Sequence, residues 1–344
     1  MTAIRANADV DLVGIVDLDP AVAAATAAER GVTAEIGTDL TGIARRTAAD
    51  AVVNVTVPAA HHAVSTEAMR AGLPVLCEKP LTPTVAAALS LAATAEVTGQ
   101  LHMTSQSRRY RAALAAFRTE VRGLGELGTA TTEYFAGPRF GGFRDRMPHA
   151  LLEDMAIHTF DTARYLFDRE PVAVYCEEYN PGWSWYAGGA AATAVVEFAG
   201  GLRYTYSGSW CADGLSTSWN GAWRVVGAGG TATWDGDGAP LVHRAGDASP
   251  VAAPVAPGGP EDVGGALAEF VDALRTGAVP SGEVHANVLS LAMVEAAIRS
   301  AATGERLTIA RVLEDGYAAA LRTETSPDVR DRLASWGGAA ARLL

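Results

Sequence analysis

The sequence predicts an α/β chain: a parallel sheet covered by helices on both faces, then an α+β region built on a large, mostly antiparallel sheet. Three observations predict it. Up to residue 105, short apolar runs alternate with alanine-rich helical stretches. After about Gln106 that alternation stops, and from Val172 onward runs occur in which alternate positions differ in polarity, the mark of a sheet with one face covered. The length, 344 residues with 49% hydrophobic, exceeds what one core usually takes and supplies apolar material for two. The expected division is residues 1–106, residues 107–310, and a helical tail over 311–344.

Residues 10–17 (VDLVGIVD) are rich in valine and isoleucine and end in an acid, as a buried strand does. Residues 20–30 are alanine-rich, with Asp19 placed as an N-cap and Pro20 at the first helical position. A second buried strand, 50–57 (DAVVNVTV), is closed by Pro58; a helix over 61–71 stops at Gly72. Residues 73–77 form a third strand, 83–98 a helix and 101–105 a last short strand. Strands and helices in this rhythm give a parallel sheet.

The second region opens with a helix over 111–122 and a strand-like run over 129–135. The loop GPRFGGFRDRMPH (137–149) leads to a helix over 151–167. Antiparallel strands are expected at VAVYCEEY (172–179), AATAVVEF (191–198), LRYTYSGSW (202–210) and AWRVVG (222–227), with GAGG (227–230) as a hairpin turn. Residues 236–260 read as a loop; helices over 263–275 and 284–302 close the region, and the tail from Arg311 is helical.

The net charge of −12 argues against nucleic acid or an anionic membrane surface as a partner. Three cysteines, Cys77, Cys176 and Cys211, have neither zinc nor CxxC spacing and read as reduced thiols of a cytoplasmic protein. No apolar run reaches membrane-spanning length, and the first residues lack a signal peptide's apolar core.

A dinucleotide-binding half-domain needs a first strand, a glycine-rich turn at a helix N-terminus for the pyrophosphate, and an acid ending the second strand. The acid is Asp17, placed to accept from both hydroxyls of an adenosine ribose. Leu18 follows it with no neighbouring arginine to receive a 2′-phosphate, so NAD is favoured over NADP. An aspartate at a strand end also serves as a turn former or helix cap, so Asp17 alone decides nothing. No GxGxxG precedes Val10, and MTAIRAN reads as the last turns of a helix. The fold expected is therefore a Rossmann-type parallel sheet lacking its first strand and glycine loop. Met1 is then an internal methionine, with the start roughly 20–30 residues upstream.

Of the 27 basic residues, one is a lysine, Lys79, in VLCEKPL. Arginine stays protonated at any working pH, whereas a lysine amine is tunable and presents a compact set of donors; an arginine-biased composition leaves one lysine by chance equally well. Pro80 restricts the backbone at Lys79 to extended conformations, which holds the amine at the carboxyl end of the third strand, the rim where open α/β sheets bind ligands. A second feature is DMAIHTFD: on an α-helix Asp154 and His158 are i,i+4 neighbours and Asp161 lies three beyond. An acid beside a histidine fixes its tautomer and raises its pKa; a solvated acid–histidine stripe has the same spacing.

EKP after a strand, TVPxxxH before it, and Asp-x-x-x-His-x-x-Asp in the second region together resemble the glucose–fructose oxidoreductase/inositol dehydrogenase (Gfo/Idh/MocA) family, and the resemblance covers nearly the whole chain. It implies a nicotinamide enzyme that transfers hydride to or from a secondary alcohol of a sugar, inositol or related polyol. Carried over by motif, Lys79 hydrogen-bonds the reacting oxygen, His158 takes the hydroxyl proton, and Asp154 orients or charges His158. Asp161 contacts a neighbouring substrate hydroxyl, and Pro58, His62, Glu78, Lys79 and Asp17 border the cofactor. The resemblance leaves two rivals: an NAD-using glycosidase of the same family, which leaves the cofactor unchanged, and a non-catalytic ligand-binding relative.

Arg108, Arg109 and Tyr110 follow the last parallel strand, where they either line the expected cleft or, for the arginines, stand solvated; Arg109 and Tyr110 are candidate substrate contacts. Arg139, Arg144 and Arg146 stand in the loop before the histidine helix, where an acidic substrate group or solvent is their partner. His61-His62 has no carboxylate or cysteine at ligand spacing, so a helix start is read there and no metal site. An exposed antiparallel sheet favours a homodimer or homotetramer.

Overall fold

A computed structural model describes all of residues 1–344. The short helix α1 (Thr2–Ala6) precedes β1 (Gly14–Val16) and α2 (Pro20–Glu29). Asp19 caps α2 as its position predicts, its carboxylate accepting from the Ala21 amide at 2.9 Å. The sequence reading has no element at β2 (Glu35–Gly37) or α3 (Leu40–Thr47); both are short, and α3 is announced only by Asp39, which accepts from the Gly42 amide at 2.9 Å. Then come β3 (Val52–Asn54), α4 (Pro58–Arg70), β4 (Val75–Glu78), α5 (Val85–Thr98) and β5 (His102–Ser105).

These strands are all parallel, but they form two sheets. β1 pairs with β2, and β3, β4 and β5 pair in that order. The single parallel sheet expected from the alternation is divided because no strand of residues 1–344 bridges the ladders of β1 and β3, and Val53, Val55 and Val57 stand exposed. β4 shows how the three-stranded sheet is covered. Val75 and Cys77 belong to the main core with Leu89 and Leu91 of α5. Leu76, between them, points to the opposite face with Met103 of β5.

Six elements follow: α6 (Ala112–Arg122), β6 (Leu127–Phe135), a π-helical turn over Leu152–Ala156, α7 (Ile157–Phe167), β7 (Pro171–Tyr179) and β8 (Ala191–Phe198). Then come β9 (Arg203–Ser209), β10 (Ala222–Gly227), β11 (Gly230–Trp234), β12 (Leu241–Arg244) and β13 (Val251–Ala252). The glycine-rich run 227–230 is the hairpin turn between β10 and β11. β12 and β13 occupy a stretch expected to be loop; they pair with β11 and with each other at the sheet's edge. With β14 (Leu307–Thr308) these strands make a nine-stranded sheet, antiparallel except between β6 and β9. One face carries aromatic residues that meet α7 edge-on: Phe160 against Tyr206 and Phe167 against Tyr204.

Helices α8 (Asp262–Thr276) and α9 (Val284–Thr303) complete the interior. α8, expected to close the second region, instead packs on the free face of the three-stranded sheet, where Ala266, Leu267 and Phe270 meet Leu76 and Met103. Gly265 permits this approach, since a Cβ there would lie 2.3 Å from that of Tyr110. The tail forms α10 (Ile309–Thr323), α11 (Pro327–Ser335) and α12 (Ala339–Leu343) and folds back onto α5. Glu96 of α5 holds it there: Arg332, Arg342, His285 and Trp336 all donate to its carboxylate. Burial raises the Glu96 pKa, but donors from Arg342, Trp336, Arg332 and His285 outweigh it and hold the group at about 2. All three cysteines are free and buried, and no helix is long and apolar enough to cross a membrane.

Candidate active site

The carboxyl end of β4 carries Glu78 and Lys79. Asn54 at the end of β3 pins the adjoining turn: its amide donates to the His61 carbonyl and Ser65, and its oxygen accepts from Thr56. His61 is fully buried and ties two rim loops, its ring nitrogens meeting the carbonyls of Pro80 at 2.7 Å and Thr56 at 3.0 Å. Nothing in the pattern around His61 announces that strut beyond the side chain itself.

Lys79 reaches across to the π-helical turn. Its Nζ donates to the Asp154 carbonyl at 2.7 Å and to Asp154 Oδ1 at 3.1 Å. Arg144 donates from Nε to the other carboxylate oxygen, Oδ2, at 2.9 Å. An ammonium has three N–H donors, so one remains for a ligand. Lys79 and Asp154 are nearly buried, 16% and 11% exposed, which strengthens the pair relative to a surface one.

The expected pairing of Asp154 with His158 is not what the structure shows. The π turn over Leu152–Ala156 takes Asp154 out of α-helical register with His158, and both of its carboxylate oxygens are taken by Lys79 and Arg144. His158 therefore has no carboxylate to raise its pKa. Burial, with the nearby charges of Lys79 and Arg108, holds it well below the usual histidine range. It is a neutral imidazole at pH 7, with Nδ1 buried and unpartnered, on the wall of a small cavity shared with Arg108, Thr159, Thr162, Trp219 and Asn220.

Three expected substrate contacts are placed elsewhere. Asp161 is 1% exposed and receives two hydrogen bonds from Arg109, Nε at 2.7 Å and Nη2 at 2.6 Å, plus the Ser290 hydroxyl at 2.6 Å. Arg109 commits its remaining terminal nitrogen to the Ser281 carbonyl at 2.7 Å. Tyr110 donates to Glu269. These three residues lock the turn after β5 to α7, α8 and α9, a long-range arrangement that spacing along the chain does not encode. His62 is likewise turned toward α5, where its Nε2 bonds Ser90 at 3.0 Å and Ser90 in turn bonds Glu324 at the end of α10. Arg139 stacks over Trp185 and pairs with Asp213, and Arg146 is exposed.

The cofactor residues divide between the two parallel sheets. Asp17 follows β1, is exposed, and accepts from the Asp19 amide alone, leaving acceptor positions for ribose hydroxyls. Pro58 begins α4 and has no N–H of its own, Val57 makes no side-chain cap, and the Ala60 amide donates to the Val57 carbonyl at 2.8 Å, so only part of the first turn is open to a ligand. Glu78 accepts from the Lys79 amide, and burial raises its pKa. These positions fit the adenosine and nicotinamide ends of a dinucleotide, and the glycine-rich cradle for its pyrophosphate is not among residues 1–344.

Comparison with known proteins identifies the family. Residues 1–106 match the GFO/IDH/MocA model described as an oxidoreductase family with an NAD-binding Rossmann fold, and residues 124–233 match the GFO/IDH/MocA C-terminal domain. Inositol 2-dehydrogenase 4 of Saccharopolyspora erythraea is 26% identical over 310 residues, 88% of this chain and 89% of that protein. The fold matches an Agrobacterium radiobacter oxidoreductase solved with NAD+, L-tartaric acid and magnesium, with a TM-score of 0.83 at 19% identity over 91% of this chain and 95% of the other. It also matches aldose-aldose oxidoreductase of Caulobacter crescentus, solved with glycerol, with a TM-score of 0.79 at 21% identity over 90% and 94%. Fold, motif residues and family models together place the chain in the GFO/IDH/MocA family of NAD-binding oxidoreductases.

Proposed function

We propose that the chain is an NAD-dependent dehydrogenase or reductase acting on a secondary alcohol, or the corresponding ketone, of a sugar, inositol or related polyol. The observation that carries this reading is the free third donor of Lys79, held beside a neutral His158 at the rim of the parallel sheet. The relatives' printed names, an inositol dehydrogenase and an aldose oxidoreductase, support the substrate class.

The bound cofactor supplies a hydride acceptor or donor; the remaining work falls to side chains. Lys79 donates to the reacting oxygen and stabilises the negative charge that develops on it as the hydroxyl proton leaves. His158, already neutral, accepts that proton. Asp154 is a positioning residue, fixing Lys79 through its carbonyl and carboxylate, while Arg144 holds the second carboxylate oxygen. Asp17 and Pro58 hold the adenosine side, Glu78 and Lys79 the nicotinamide side. Asp161 and Arg109 act through structure, keeping the turn after β5 against α7. The protein works in the cytoplasm, and copies associate through the open face of the nine-stranded sheet, where Tyr175, Tyr179 and Val195 are exposed.

Absorbance at 340 nm during incubation with NAD+ and a panel of polyols and sugars tests the reading. Sustained NADH formation is expected, abolished by His158→Ala. Cleavage of nitrophenyl glycosides with no net NADH would replace it with a glycosidase.

A further inference from the structure

Three arginines stand in the five residues after Gln106, and the structure treats them differently. Arg109 is paired with Asp161 and Arg111 with Asp262. Arg108 has no carboxylate within 4.0 Å. Its Nη1 donates to the side-chain oxygen of Asn220 at 2.6 Å, a neutral acceptor. Asn220 is itself locked in place, donating to the Gly236 carbonyl at 2.7 Å and accepting at its backbone carbonyl from the Trp223 indole at 2.7 Å. No anion touches it: Asp262 is paired with Arg111, Asp237 accepts from Ser218, and both act on Arg108 only from a distance. Burial lowers the Arg108 pKa, as expected for a guanidinium withdrawn from water without an anion.

This unbalanced cation lines the same cavity as His158, with the half-exposed ring of Trp219 beside them. A fixed planar guanidinium matches a carboxylate in shape and charge. We propose that Arg108 anchors a carboxylate of the substrate, so that the reaction centred on Lys79 and His158 acts on a polyhydroxy acid in preference to a neutral polyol. The inference rests on the dehydrogenase reading for the reaction but not for the binding. The carboxylate completes the ion pair that Arg108 lacks, and the hydroxyl-bearing carbons lie toward His158, flanked by Trp219.

Calorimetric titration with matched pairs tests it without turnover: D-gluconate against D-glucitol, and L-tartrate against L-threitol, each pair sharing a carbon skeleton. On the wild-type chain at least one acid binds about tenfold or more tighter than its neutral counterpart. Arg108→Met removes the preference. Asn220→Asp is the decisive second variant, because it supplies Arg108 with an internal carboxylate while preserving side-chain shape. It gives up the donor to the Gly236 carbonyl, so thermal denaturation should show a folded but somewhat less stable protein, and it loses the acid preference. Equal binding of acid and alcohol in both pairs overturns the proposal, as does an acid preference that survives both substitutions. Tighter binding of D-glucitol 6-phosphate than of either acid overturns the carboxylate in favour of a phosphate. Acid preference without NADH formation from any probe refutes the dehydrogenase and leaves the anchor standing. NADH formation from neutral polyols with no acid preference does the reverse.

Discussion

The pairs Lys79–Asp154 and Arg109–Asp161 join the same two parts of the molecule, the rim of the parallel sheet and the segment that enters α7. Both join a cation to a nearly buried carboxylate. Their difference lies in what is left over. In the second pair all three guanidinium nitrogens and both carboxylate oxygens bond protein groups, and the side chains are closed off at 8% and 2% exposure: Arg109 to Asp161 and Ser281, Asp161 to Arg109 and Ser290. In the first, Lys79 keeps a donor that no protein group takes. A saturated pair fixes structure, and an unsaturated one at a cleft can serve chemistry.

The largest effect expected from breaking this contrast is on stability at the saturated pair. Asp161→Ala leaves Arg109 buried without its anion, and urea denaturation should show a loss of about 3–5 kcal/mol. A stable variant with a raised KM would instead make Asp161 a substrate contact. Next, Asp154→Asn keeps the shape of the Lys79 cradle but removes its charge. Turnover should fall by about 100-fold, with the thermal midpoint changed far less than in Asp161→Ala.

The pH dependence sharpens the comparison further. Because His158 is held below the ordinary histidine range by burial and by Lys79 and Arg108, it is already deprotonated at pH 7. The acid limb of the kcat/KM profile should therefore lie below pH 6.5, and an inflection above pH 7 assigned to His158 would contradict its placement. The smallest effect concerns the tail. Glu96 is ionised down to about pH 2, against an ordinary value of 4.5. Its contribution to docking is fully present above pH 4.5 and is lost as the pH falls from 4.5 toward 2. Glu96→Gln should abolish that acid-dependent loosening, read as proteolysis of the tail in acid.

The contrast also marks the limit of sequence reading. EKP sets Lys79 at a strand end and the Asp-x-x-x-His spacing sets Asp154 and His158 at a helix start, because both are local features; that the two meet is implied by the family resemblance alone. The partner of Asp154 was illegible, since a π turn changes register without changing composition. Asp161, Arg109 and Tyr110 look like cleft residues along the chain; their partners Ser290, Ser281 and Glu269 lie more than 100 residues away. β2 and α3 escaped because each is too short to show a period, whereas AATAVVEF was long enough to be placed residue for residue.

The proposed chemistry depends on the free donor of Lys79 acting on the reacting oxygen. The most direct test compares Lys79→Met with the wild-type chain for NADH formation and, in parallel, for polyol binding and thermal midpoint. Turnover is expected to fall by about 100- to 1,000-fold, with the midpoint and ligand binding largely retained. Turnover within about twofold of wild type in a folded Lys79→Met protein would contradict it.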